Sequence, residues 1–350
     1  MDSLLIYGAY GYTGALIARE AIDRGGEPIL AGRDATKVHQ LGEELGLQSR
    51  SFTLEDPDRI DSHLEDADVV LNCAGPFVDT AEPLADACIR TETDYLDITG
   101  ELEVFERLAR RTERAAAADV TLLPGCGFDV VPTDCLAAHV ADRLPEATHL
   151  SLAIAAGGSI SPGTTKTALR GLGDGGAIRE DGALRAVPAA DRTRIVDFGW
   201  DTQTVTAFPW GDVSTAFRTT DIPNVRVYMA LPDAARTAMR VADRLGPIVR
   251  TDAVQSVLDS LVDRFVEGPT ATERADSQVT IWAEAWSAET HETVESLLST
   301  PDPYDVTVDA ALEIADRTRS ADAPAGYQTP AGAFGPNLVL ALDGVERTDR

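Results

Sequence analysis

The sequence predicts an α/β protein: a Rossmann-type, doubly wound parallel sheet followed by a second α+β domain with a mostly antiparallel sheet. Three observations predict it. The first 135 residues alternate short apolar runs with amphipathic stretches, the rhythm of strands and crossover helices. The first apolar run leads directly into Gly8-Ala-Tyr-Gly-Tyr-Thr-Gly14 and then into a helical pattern, the setting of a dinucleotide-binding turn. Beyond about residue 145, strand-like runs follow one another, as in an antiparallel sheet.

Strands of the first domain are expected at LLIY (4–7), PILA (28–31), SRSFTL (49–54), ADVVLNC (67–73), TDYLDI (93–98) and DVTLLP (119–124). Helices are expected between them at Ala15–Arg24, Ala35–Leu45, Pro57–Glu65, Thr80–Thr91 and Glu101–Ala118. In the last of these Leu102, Phe105, Leu108 and Ala109 recur at helical spacing. Asp79 and Thr80 are the expected caps of the fourth helix, with Pro83 in its first turn. The second domain offers strand-like runs at 149–156, 193–198, 202–210, 212–220, 224–231 and 277–288. Long helices are expected from Pro232 to about Val266 and at Val306–Arg319, and 171–182 reads as a mobile loop. Thr329 caps, and Pro330 opens, a final helix. The expected division is 1–135, 136–325, and a segment 326–350 that packs back at the domain junction.

Composition narrows the function. The 350 residues hold 58 acids against 30 bases, a formal net charge of −28, and only Lys37 and Lys166 are lysines. Such a surface repels nucleic acid and anionic lipid. The acids are spread over the whole length, which reads as adaptation to high salt rather than as a partner-binding tail. No run of about 18 apolar residues would span a membrane, and no secretory signal is visible, so a cytoplasmic protein is expected. Cys73, Cys88, Cys126 and Cys135 form no CxxC pair and have no ligand-like histidine spacing. They read as small buried hydrophobes, and no metal site is expected.

Within the glycine loop each glycine has a task. Gly8 permits a tight turn, Gly11 lets the backbone approach a pyrophosphate, and Gly14 allows the helix to pack closely on the sheet. The free amides and dipole of the helix start favour the anion. The second strand ends Ala31-Gly-Arg-Asp34. Gly32 leaves space where an NAD-preferring protein carries an acid, and Arg33 can pair with a 2′-phosphate. NADP is therefore expected, with NAD as the alternative should Asp34 reach the ribose.

The fourth, fifth and sixth strands leave into Asn72-Cys-Ala-Gly-Pro-Phe77, Asp97-Ile-Thr-Gly-Glu101 and Pro124-Gly-Cys-Gly-Phe-Asp129. These are carboxyl ends of parallel strands and share one edge of the sheet, where open α/β sheets bind ligands. With GAYGYTG (8–14), AGRD (31–34), NCAGPF (72–77), YLDITGE (95–101), PGCGFDVVPTD (124–134) and PWGDVSTAF (209–217), the chain resembles the saccharopine dehydrogenase-like oxidoreductases. That group includes saccharopine reductases and a lipid-linked trans-acting enoyl reductase group. The resemblance implies a nicotinamide enzyme whose second domain covers the nicotinamide and forms a homodimer. It implies that Gly8, Gly11, Tyr12, Thr13, Gly14 and Arg33 touch the nucleotide, with Tyr10 and Gly32 beside them. It further implies that Asn72, Ala74, Gly75 and Pro76 line the path to the nicotinamide ribose.

Reduction of a polar double bond also needs a proton donor. Tyr95, Asp97, Glu101 and Asp129 are the candidates at the strand edge; Asp97 has the alternative of holding its loop through backbone amides, and Asp134 that of capping a helix. In the second domain Lys166, in Ser161–Thr167, reads either as a substrate anion site or as a solvated lysine near a cap. Trp210 reads either as a lid over the nicotinamide or as domain core. No arginine cluster suited to a di- or tricarboxylic amino acid is evident there. Three functions follow: an NADP-dependent reductase of a small or lipid-like substrate, an amino-acid C–N dehydrogenase, or a non-catalytic NADP-binding sensor.

Overall fold

The computed structural model describes residues 4–156, 175–246, 251, 277–320 and 322–350. The chain separates into two compact units, Met1–Val131 with Tyr304–Leu338 and Pro132–Pro303 with Val339–Arg350.

The first unit holds strands β1 (Leu4–Tyr7), β2 (Ile29–Gly32), β3 (Ser49–Ser51), β4 (Val69–Asn72), β5 (Asp94–Asp97) and β6 (Thr121–Leu123), with the short β15 (Gly326–Tyr327). All pair in parallel, in the order β15-β6-β5-β4-β1-β2-β3. The first six follow the doubly wound order with a switch between β1 and β4. Both central strands are wholly buried, because helices cover both faces, and this is why they read as unbroken apolar runs. The helices are α1 (Tyr12–Asp23), α2 (Ala35–Leu45), α3 (Pro57–Leu64), α4 (Phe77–Thr91), α5 (Leu102–Ala109) and α6 (Thr112–Ala117). α7 (Val131–Arg143) leads into the second unit.

Two helices depart from expectation. α4 starts at Phe77, so Pro83 lies in its interior, and its cap is neither Asp79 nor Thr80. The carboxylate of Glu101 accepts from the amides of Phe77 (3.0 Å) and Val78 (2.9 Å), so a residue from the next strand-end loop closes the helix start. The single helix expected over 101–118 is two, α5 and α6, broken at Arg110 and Arg111. Arg107 and Arg111 are held there by Glu82 and Asp86 of α4.

The second unit is built on β7 (His149–Ala156), β8 (Gly176–Glu180), β9 (Ala183–Val187), β10 (Thr193–Asp197), β11 (Thr202–Ala207), β12 (Asn224–Ala230), β13 (Val279–Trp286), β14 (Thr293–Thr300) and β16 (Glu346–Asp349). Its main path runs β10-β11-β12-β7-β13-β14-β16, with the β8–β9 hairpin attached to β12. Every pair is antiparallel except β12 with β7.

Here too expectations change. Residues 176–182 of the expected loop belong instead to a hairpin over 176–187, while 171–174 lie outside the described residues. The strand expected at 212–220 is the helix α8 (Asp212–Thr220), which buries Val213 and Ala216; burial of that helical stripe overrides the β-branched composition. Of the helical stretch expected over 232–266, α9 (Asp233–Arg244) is described, and 247–250 and 252–266 lie outside. α10 (Pro303–Arg319) and α11 (Pro330–Phe334) follow, the latter capped by Thr329, whose hydroxyl accepts from the Gly332 amide at 3.1 Å.

The large sheet curls. β10 stands four strands from β13, roughly 19 Å along a flat sheet. Yet Arg194 of β10 pairs with Glu284 of β13, one bond being 2.6 Å long. The Trp200 indole donates to Thr280 at 3.0 Å, and Arg350 donates to the Asp197 carbonyl at 2.9 Å. Twist therefore brings the two edge strands together around a core that includes Ala153, Phe198, Val205, Tyr228, Trp282 and Leu297.

Candidate nucleotide site and the loops beside it

The glycine loop joins β1 to α1 and is held from below. The amides of Gly8 and Ala9 both donate to the Ala31 carbonyl, at 2.8 and 3.1 Å. Gly8 has φ +83°, and a Cβ there would lie 2.8 Å from the Ala74 amide nitrogen. At Gly14 a Cβ would lie 2.5 Å from the Gly8 carbonyl oxygen. Backbone blocks both positions, so neither admits a side chain. Gly11 stands at the helix cap and no side chain caps α1, which leaves the first-turn amides to face the loop. These features fit a pyrophosphate. Tyr12 and Thr13 are half-buried in the first turn, and the Tyr12 ring meets Tyr304 edge-on, centroids 5.0 Å apart.

At the end of β2 the space beside Gly32 is used by the protein itself. A Cβ on Gly32 would sit 2.5 Å from Cε1 of Tyr10, so the glycine admits the Tyr10 ring. Asp34 is committed to α2, its side chain accepting from the Lys37 amide at 3.1 Å, and it pairs with the Lys37 ammonium at 3.9 Å. It is therefore not an acid aimed at a ribose. Arg33 is exposed, and the Lys37 ammonium lies 5.7 Å from the Tyr10 ring centroid. Two cations with no NAD-type acid suit a 2′-phosphate.

The loop after β4 is shaped from inside. Asn72 is wholly buried. Its amide donates to Thr80 (3.0 Å) and to the Tyr95 hydroxyl (3.2 Å), and its oxygen accepts from the Ala74 amide (3.0 Å). Thr80 in turn donates to the Ala74 carbonyl at 2.7 Å. Asn72 thus shapes the loop rather than lining a path, while Ala74, Gly75 and Pro76 reach its surface and Ala74 presses on Gly8. The Gly75–Pro76 peptide is cis.

Tyr95 and Asp97, expected as proton donors, are wholly buried. The Tyr95 hydroxyl donates to Asp97 Oδ2 at 2.8 Å, and Asp97 Oδ1 accepts from the amides of Thr99 and Gly125, both at 3.0 Å. Burial pushes the Asp97 carboxyl up to about 6 against the pull of those donors. Burial also raises the Tyr95 phenol well above its ordinary value. Both are sealed from solvent, and Asp97 joins the loops after β5 and β6 through the amides of Thr99 and Gly125.

Asp129 differs, because it keeps partial exposure. Its carboxylate packs on Gly100, where a Cβ would lie 2.7 Å from Oδ2. Burial, with the Glu101 charge beside it, raises it to about 6. Asp134 lies in the first turn of α7, wholly buried, and accepts from the Thr219 hydroxyl at 2.6 Å. Trp210 is half-buried in the second unit, its ring 5.6 Å from that of Phe208. Lys166 and the rest of Ser161–Thr167 lie outside the described residues. All four cysteines are free thiols, Cys73 half-buried and the other three buried. The sequence offered no signal for Glu101 as a helix cap or for Tyr10 over Gly32, since each joins residues more than twenty positions apart.

Comparison with known proteins agrees with this geometry. Residues 4–123 match the family profile of the saccharopine dehydrogenase NADP binding domain. A saccharopine dehydrogenase-like oxidoreductase of Mus musculus is 32% identical over 219 residues, 55% of this chain and 50% of that protein. A trans-acting enoyl reductase of Mycobacterium leprae (strain TN) is 34% identical over 139 residues, 37% of this chain and 33% of that protein. The chain thus spans half or less of the length of these relatives. Apo saccharopine dehydrogenase (L-Glu forming) from Saccharomyces cerevisiae matches over 100% of both chains with TM-score 0.68 at 11% identity, a likeness of fold. Residues 4–123, which hold the glycine loop, the β2 end and the Asn72 loop, are therefore an NADP-binding domain of the saccharopine dehydrogenase type.

Proposed function

We propose that the chain is an NADP-dependent oxidoreductase that reduces a small, lipid-like substrate, in the manner of an enoyl reductase. The observation that carries this reading is the backbone-walled cradle at Gly8, Gly11 and Gly14, with Arg33 and Lys37 at the end of the next strand. The stretch of similarity to a trans-acting enoyl reductase supports the substrate class. When bound, NADPH would supply a hydride from its nicotinamide ring. The protein's part is to hold and to protonate. Gly8, Gly11, Gly14 and the start of α1 take the pyrophosphate; Arg33 and Lys37 take the 2′-phosphate. Ala74, Gly75 and Pro76 line the approach to the nicotinamide ribose. Asp129, with its carboxyl near 6, gives the proton that must join the carbon next to the one receiving hydride. Among the described residues no helix is long and apolar enough to cross a membrane, and a cytoplasmic homodimer is part of the proposal.

Fluorescence titration tests it. NADPH should bind more tightly than NADH. Arg33→Gln should weaken NADPH by about tenfold, the worth of one charge-assisted contact, and leave NADH unchanged. Absence of binding by either nucleotide in concentrated salt would overturn the reading.

A further inference from the structure

One face of the curled sheet in the second unit carries a polar cluster that the nucleotide reading does not use. Direct pairing places Tyr228 of β12 opposite Ala207 of β11 and Ala153 of β7, and Arg226 opposite Ser151. The Ala207 amide donates to the Arg192 carbonyl at 2.9 Å. Paired residues share a face, and alternation keeps Arg192, Arg194 and Val196 on that side. The arginine convergence that was not evident in the sequence is therefore present, because β10 with its lead-in residue and β12 bring the arginines to one face across β11.

The three guanidinium groups differ in their partners. Arg194 is spent on Glu284 and stacks over Trp282 at 4.5 Å. Arg226 gives one bond to Asp191 Oδ2, at 3.1 Å. Arg192 is exposed and makes no ion pair among the described residues. Two hydroxyls beside them are more than nine-tenths buried: Tyr228 is 6% exposed and Ser151 8%. Neither makes a side-chain hydrogen bond among the described residues, and neither oxygen is sealed from solvent, so both can donate to a ligand. Burial raises the Tyr228 phenol while Arg226, Arg194 and Arg192 pull it down, so all three act on its oxygen. The remaining oxygen of Asp191, Oδ1, is buried without a hydrogen-bond partner.

We propose that Arg192, Arg226, Tyr228 and Ser151 form a binding site for a small carboxylate that carries a hydroxyl group. Arg192 supplies the one guanidinium not matched by a carboxylate, which suits a monoanion. Tyr228 and Ser151 supply donors to its oxygens. Asp191 Oδ1 calls for a donor from the ligand. Three guanidinium groups nearby make a neutral hydroxyl a better donor than an ammonium.

The test is calorimetric titration of the full chain with lactate, propionate, alanine and inorganic phosphate at one ionic strength. Lactate should bind saturably and more tightly than the other three. Tyr228→Phe and Arg192→Gln should each weaken it by about tenfold, the loss of one bond to a charged group, with unchanged circular dichroism. Arg33→Gln, which weakens NADPH, should leave lactate binding alone, so failure here and failure of the nucleotide reading are separable. Absence of saturation, phosphate or alanine binding as tightly as lactate, or variants that bind like the parent would each overturn the site.

Discussion

At the scale of single residues, geometry separates groups that the sequence presents as equals. Tyr95, Asp97 and Asp129 all stand at strand ends, but two are sealed inside and one keeps access to solvent. The proposed acid role therefore rests on Asp129, the one of the three that is open to solvent. Asp129→Asn should therefore lower turnover by about a hundredfold or more, the usual worth of a positioned acid, while NADPH affinity stays constant. Loss of nucleotide binding in that variant would mean that Asp129 shapes the site rather than serving it. The glycines were legible at this scale because only backbone contacts decide them: Gly8 and Gly14 each face main-chain atoms at under 3 Å. Gly32 was not. Its neighbour is the Tyr10 ring, brought there by the pairing of β1 with β2, and nothing in Ala31-Gly-Arg-Asp34 announces it.

At the scale of elements, buried strands were legible and polar closures were not. β1 and β4 are unbroken apolar runs because both faces are covered. α8 defeats the same reasoning, since Asp212, Ser214 and Thr215 are all buried in it and an acid with two hydroxyls does not advertise a core. The Thr133 hydroxyl reaches Asp212 at 2.6 Å, a bond across 79 residues. The loops after β5 and β6 are joined by Asp97 in the same long-range way, and this has a pH consequence. Its carboxyl sits near 6 in the folded protein against an ordinary 3.8, as do those of Asp94 and Asp129. The folded state thus binds more protons than the unfolded state between these values. That contribution to stability is full below about pH 4 and is lost as pH rises through 6, on the order of 2–3 kcal/mol for a fully buried group. Carboxylates depressed by cationic partners, Asp66, Asp86 and Asp349, act with the opposite sign below the ordinary value. Denaturant melts between pH 4 and 7 should show stability falling with pH. Asp97→Asn should flatten that slope while lowering stability throughout, because Tyr95 loses its acceptor. A variant whose slope equals that of the parent would remove Asp97 from the account.

At the scale of the whole molecule, the expected returning segment 326–350 coincides only in part with Tyr304–Leu338, which belongs to the first unit, because a two-residue strand on β6 is too short a signal to fix its bounds. Charge, in contrast, is fully legible. Acids exceed bases by 28, and at low ionic strength they repel one another over about 10 Å or more. Salt acts on two opposing effects. It weakens attractive surface pairs such as Arg19–Glu44, 46% and 54% exposed, each worth about 0–1 kcal/mol. It also relieves repulsion among acids that have no base to pair with, and these are in large surplus. Relief should win. The melting temperature should rise steadily as potassium chloride goes from about 0.1 M to 1 M, over which the screening length shrinks to about 3 Å. A sugar osmolyte at matched osmolarity should not reproduce the steep part of that rise, since it stabilises by exclusion from the surface rather than by screening. A melting temperature that falls with salt, or does not move, would mean that the surplus carboxylates lie too far apart to strain the fold, and the charge would then require a partner to explain it.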